Sequence, residues 1–237
     1  MVEPQQALLS VVLLNVALVG LTVGLFWAGV FVARSFGRKV GYSLAPLGFT
    51  RPRGGLLAGM GVGAAVGVGA VIASIPVNLA TTFVLDRLGY STERAIQGPF
   101  MRGLFHWVQE SPDTAIPAIL LVVMIFGPAV EELVFRGALF NGLYRLGRLI
   151  LGVSGGSRRT ARRVSFAFSA LISSVVFALL HLEPTLLPVL LILAVVLCVL
   201  FERTGSLLPT FVAHATFNSF AVSLIILAGL GVFELPI

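Results

Sequence analysis

Six stretches of the chain are nearly unbroken runs of apolar residues: 7–33, 55–85, 115–148, 164–182, 185–201 and 207–230. At the 1.5 Å rise of an α-helix, about 20 such residues cross the hydrocarbon core of a bilayer. The second and third runs exceed that need and are expected to tilt or project beyond the core. The fifth is short. Within lipid every backbone polar group must be satisfied internally, so the pattern predicts helices. The expected fold is an all-α polytopic membrane protein, a bundle of about six transmembrane helices.

Glu3 precedes the first run, and no basic segment does. The run is too long for the apolar region of a cleavable signal, so it reads as a retained span. Residues 1–113 read as an N-terminal two-span region with an outer loop, 114–230 as a membrane core, and 231–237 as a short tail. In the second run Gly55, Gly59, Gly63 and Gly67 recur every four residues. That spacing predicts one helix face open to close approach by another backbone.

Composition sharpens the class. Of 237 residues, 57% are hydrophobic and 11% charged, where soluble domains are closer to a quarter charged. The net charge of +6 is unevenly spread. Arg34, Arg38, Lys39, Arg51 and Arg53 follow the first run. Arg136, Arg145, Arg148, Arg158, Arg159, Arg162 and Arg163 lie in the last part of the third run and the segment after it, and Arg203 lies between the fifth and sixth. These positions fall on one side, assigned to the cytoplasm, so both termini are expected outside. The segment 86–113 has three Arg against two Asp and two Glu and is expected to face out. Phe105, His106 and Trp107 within it look interfacial, and His106 has no evident polar partner at helical spacing. The basic face predicts contact with anionic lipid. Nucleic-acid binding is excluded, since no soluble domain carries the charge. Cys198 lies in an apolar run and reads as a buried small hydrophobe. The expected location is a prokaryotic cell membrane.

Ionisable groups inside membrane helices are costly and mark function. The candidates are Glu131, Glu132 and Arg136 in the third run, His181 at the end of the fourth, and His214 with Asn218 in the sixth. Glu132 and Arg136 stand i,i+4 and can pair. At 3.6 residues per turn Glu131 lies about 100° away, facing something else. Held in a low-dielectric cavity it suits a general base. Phe177 and His181 share a face, as do His214 and Asn218. A carboxylate, two imidazoles and an amide from three helices suffice to activate water and hold an oxyanion.

The three motifs, "EELVFR", "FALLH" and "HATFN", match EExxxR, FxxxH and HxxxN in order. They resemble the CPBP family of intramembrane proteases, the CAAX protease and bacteriocin-processing family, over residues 115–222. "ERTGSLLPTFVAHATFNS" shares the resemblance. It implies an endopeptidase acting on a membrane-associated or lipidated peptide or protein. Glu131 would be the base, His181 would position water, and His214 and Asn218 would hold the oxyanion. Glu132, Arg136 and Phe177 would support them. The family's metalloprotease label would make Glu131, His181 and His214 zinc ligands. The spacing is not HExxH and an asparagine suits zinc poorly, so catalysis without obligatory metal is the expectation.

Two other readings compete: an ion- or proton-coupled transporter, because buried Glu and His also mark ion paths, and a non-catalytic immunity or scaffold protein. One geometric difficulty arises. Counted from the basic side at 1.5 Å per residue, Glu131 and His181 lie roughly 20–25 Å deep but His214 only about 10 Å. Either the turn before the sixth run dips into the bilayer or a span boundary is misplaced.

Overall fold

The computed structural model describes residues 3–90, 98–153 and 157–234. Every regular element among them is helical: α1 (Pro4–Ser35), a 3₁₀ turn (Ala45–Leu47), α2 (Leu56–Arg87), α3 (Gly98–Glu110), α4 (from Pro112 to Val153), α5 (Arg158–Leu180), α6 (Leu187–Thr204) and α7 (Leu207–Gly229). Six of these, all but the 3₁₀ turn and α3, are long and apolar enough to span a membrane. Parts of the expected outer loop (91–97), basic loop (154–156) and tail (235–237) lie outside the described residues.

α4 and α6 form the centre of the bundle. In each, 44% of the most apolar 18-residue window is buried, against 11% in α1 and 17% in α2. α1 and α2 therefore present mainly apolar side chains outward, as lipid-facing helices should. α5 lies antiparallel to α4. Gly147 meets Ser165, Ser173 Oγ donates to the Phe135 carbonyl at 3.0 Å, and Phe135 meets the Phe177 ring edge-on. Buried Ser165, Ser169 and Ser173 recur every fourth residue, small enough to keep the two helices close.

The glycine face of α2 packs on α7. A Cβ on Gly63 would meet the Pro209 carbonyl oxygen at 2.5 Å, and one on Gly67 the Ala213 oxygen at 2.6 Å. Gly59 is buried against Pro52 and Pro209. Gly55 departs from the expected face, since it precedes the helix at φ +96°.

The segment after α1 does more than mark topology. Arg53 donates to the Glu202 and Arg203 carbonyls at 3.3 and 2.9 Å, satisfying acceptors at the end of α6 that the helix itself leaves unpaired. Ser206, the N-cap of α7, donates to the Thr50 carbonyl at 2.7 Å, and Leu207 N–H reaches the Gly48 carbonyl. Gly48 itself sits at φ +93°, where a Cβ would strike Phe201 at 2.6 Å. The α6–α7 turn is thus clamped by residues 48–53.

α3 corrects the reading of the outer segment. Leu104, Trp107 and Val108 are buried in a cluster with Ile119 and Ile225, so Trp107 is a core residue and not an interfacial one. His106 is exposed and does have a partner at helical spacing, Gln109 Oε1 at 3.2 Å. The segment is an amphipathic helix whose apolar face turns inward, not a loop. Cys198 is fully buried, as a small hydrophobe would be.

Candidate active site

α4 is not a uniform α-helix. It is π-helical over Leu120–Phe126 and Glu132–Phe140, with the α-helical insert Gly127–Glu131 between. Long π segments are rare and favour functional sites. The chemistry of the chain gives one cause. With i→i+5 bonding the Val123 carbonyl would look to the N–H of residue 128, and residue 128 is a proline without one. Asn218 of α7 supplies the donor instead, its Nδ2 lying 3.2 Å from the Val123 oxygen.

Glu132 opens the second π segment and is fully buried, as is Arg136. Their i,i+4 ion pair is 2.9 Å long. Phe177 covers the guanidinium, which lies 4.6 Å from the ring centroid, a cation–π contact. The same Glu132 oxygen receives His214 Nδ1 at 2.8 Å. A carboxylate only accepts, so Nδ1 carries a proton. The opposite ring nitrogen, Nε2, lies 3.6 Å from Glu131 Oε2. His214 therefore joins the two glutamates. The Glu131 side chain is 28% exposed, against 1% for Glu132. The 100° estimate assumed a plain α-helix. Both carboxylates reach His214, Glu131 at Nε2 and Glu132 at Nδ1.

The depth difficulty also resolves. Leu207 lies beside Gly137, not at the end of α4. Counting from that level, Glu131 is six residues up α4 and His214 seven residues up α7, both roughly 10 Å at 1.5 Å per residue. The misplaced boundary was that of the third run: the Asn141–Val153 part of α4 extends past the clamped turn.

The antiparallel register of α4 and α5 puts His181 at the level of Glu131. His181 is the C-cap of α5, with its ring 4.7 Å from the Phe177 ring, which is itself 5.7 Å from that of His214. Its Nδ1 lies 2.8 Å from the Phe177 carbonyl, an obligate acceptor, so in the neutral ring Nε2 is the acceptor nitrogen. The turn that fixes it is tight. Leu182 adopts φ +54°, a left-handed position usually given to glycine, and costs roughly 1–2 kcal/mol. Glu183, buried at 3% exposure, accepts from Thr185 Oγ1 at 2.8 Å and braces the turn. Glu183 went unread in the sequence, as did buried Asn15 and Asn141. Pro184, three residues past His181, was the available signal for the turn.

Beside the site, α1, α4, α7, residues 48–51 and Leu56 line a mostly apolar, open-sided cavity of about 560 Å³ that touches Glu132, Phe126, Val130 and Phe211. Among the described residues no three His, Cys, Asp or Glu side chains come together as a metal-binding group. Glu131, His181 and His214 are not such a group.

Residues 113–220 match the family described as Type II CAAX prenyl endopeptidase Rce1-like, a segment that contains all the candidate site residues. The chain is 29% identical over 108 residues to "Putative membrane peptidase YdiL" of Bacillus subtilis (strain 168), covering 46% of this chain and 37% of that protein. It is 30% identical over 122 residues to "Membrane-embedded CAAX protease MroQ" of Staphylococcus aureus (strain USA300), covering 48% of this chain and 45% of that protein. The match thus spans less than half the length of either relative. No solved structure matches the chain significantly.

Proposed function

We propose that the chain is an intramembrane endopeptidase that hydrolyses a peptide bond of a membrane-associated or lipidated peptide or protein. One observation carries this reading: a partly exposed Glu131 faces His214 at 3.6 Å, with the buried Glu132–Arg136 pair behind it. The names of the two relatives, a peptidase and a protease, support it.

In this reading a water donates hydrogen bonds to the Glu131 carboxylate and to His181 Nε2. Glu131 takes one proton as the water oxygen bonds to the scissile carbonyl carbon, and the carbonyl π electrons move to oxygen. The Asn218 amide and the doubly protonated His214, through Nε2–H, donate to that oxyanion. One Asn218 N–H is given to Val123, so this role uses the other. Collapse breaks the C–N bond, and Glu131 returns its proton to the departing amine. Glu132 holds His214 in orientation, and Arg136 offsets the Glu132 charge. The cavity beside Glu132 would take the apolar part of the substrate. The chain's own groups and water complete the reaction.

The test is cleavage by the full chain in vesicles of a peptide with and without a lipid anchor, read by mass spectrometry in chelator and in added zinc. The anchored peptide should be cut at a rate that chelator leaves unchanged. Absence of cleavage of any anchored or membrane-spanning peptide would contradict the assignment. Loss in chelator with recovery in zinc would contradict the metal-free route.

A further inference from the structure

A second charged concavity lies away from the candidate active site, where the start of α5 meets the end of α6. It has a volume of about 460 Å³ and is lined by Arg159, Arg162, Arg163 and Arg203, with Glu202 as its one acidic residue. Glu202 is already engaged. Arg162 donates to its Oε1 at 2.6 and 2.9 Å through two nitrogens, and Tyr144 OH reaches the same oxygen at 3.2 Å. Arg159, Arg163 and Arg203 have exposed side chains and no ion pair or side-chain hydrogen bond among the described residues.

Spacing explains why the charges converge. Arg159, Arg162, Arg163 and Phe166 follow i, i+3, i+4 and i+7 on α5, one helix face. On α6, Val199 and Arg203 are likewise one turn apart. Phe166 and Val199 form the apolar wall of the concavity, and exposed Val195 continues that wall one turn further along α6. A cationic cup thus opens onto an apolar seam between two membrane helices.

We propose that this cup binds the phosphate of an anionic phospholipid, with an acyl chain lying along Phe166, Val199 and Val195. Arginine guanidinium groups suit phosphate oxygens by their forked donors. Basic pockets between membrane helices are a recurrent form of headgroup site. The apolar wall selects a lipid-borne phosphate over a free one, because only the lipid brings a chain to cover it. The Arg162–Glu202–Tyr144 bonds hold the cup in shape and are left intact by the test.

The test uses the purified full chain, stripped of lipid in neutral detergent, and native mass spectrometry of bound lipid. Probes are a phosphatidylglycerol, a phosphatidylcholine of the same chains, and inorganic phosphate. The wild type should retain phosphatidylglycerol in preference to the other two. The combined Arg159→Gln, Arg163→Gln, Arg203→Gln variant should weaken that retention on the order of 100-fold. A variant losing the same charge elsewhere on the basic face, Arg38→Gln, Lys39→Gln, Arg51→Gln, should keep it. Should the first triple variant melt early in phosphatidylcholine, Arg163→Gln and Arg203→Gln singly give the same comparison. Equal retention of phosphatidylcholine, equal loss in both triple variants, or competition by inorganic phosphate at matched concentration would overturn the proposal.

Discussion

His214 addresses both carboxylates of the glutamate pair, and that geometry separates their duties. Glu131 is the exposed member, so Glu131→Gln should leave expression and melting temperature near wild type while lowering turnover by roughly 10²–10⁴-fold. Glu132→Ala removes the only ion-pair partner of Arg136 among the described residues, in a dry interior. Such a change costs about 3–5 kcal/mol, and thermal melting in detergent should show it as an early transition. Arg136→Ala strands Glu132 between His214 and the Phe177 face and should resemble Glu132→Ala. A stable but inactive Arg136→Ala protein would contradict this division. At this scale much was legible from the sequence. The i,i+4 spacing of Glu132 with Arg136 implies their ion pair, and that of His214 with Asn218 places both on the face α7 turns to α4. The bond from His214 to Glu132 was not legible, because it depends on how far α7 is slid along α4, and no local spacing encodes that.

The contact of α2 with α7 links element packing to the site. Gly67 meets the carbonyl of Ala213, the residue before His214. Gly63→Ala or Gly67→Ala pushes a methyl into a backbone oxygen that cannot yield without moving α7. Overpacking of this kind costs typically 1–3 kcal/mol, and His214 should shift with the helix, so melting temperature and turnover should fall together. Gly61 and Gly69 have nothing within 4 Å of a Cβ. Gly61→Ala and Gly69→Ala should be neutral or slightly stabilising, since alanine is the better helix former. Circular-dichroism melts of the four alanine variants check the contrast, and equal effects would refute the packing account. The glycine face itself was readable from its four-residue recurrence. The π segments of α4 were not, because periodicity reasoning assumes a regular helix. Pro128 hinted at them only once Asn218 was seen to serve the Val123 carbonyl. The helix α3 was missed because its apolar residues, Leu104, Trp107 and Val108, resemble an interfacial belt until the neighbouring core is in view.

At the scale of the whole molecule, six apolar runs were visible as spans because a bilayer demands about 20 apolar residues per crossing. Their relative heights were hidden, since α4 continues well past the turn that residues 48–53 clamp. The split of basic residues predicts that both termini lie outside. Single cysteines placed at residues 3 and 234 in a Cys198→Ser background should react with an impermeant reagent from the outer side of intact cells, and labelling confined to the cytoplasmic side would reverse the topology. The reading that joins these scales is the proposal that Glu131, which faces His214, activates water inside the membrane with His181 and Asn218 as its partners. Its most direct test is single-turnover cleavage of an anchored peptide in vesicles by the wild type and by Glu131→Gln at matched folding. The account predicts a new peptide terminus with the wild type and a rate at least roughly 100-fold lower with the variant. Comparable rates in the two proteins would contradict it.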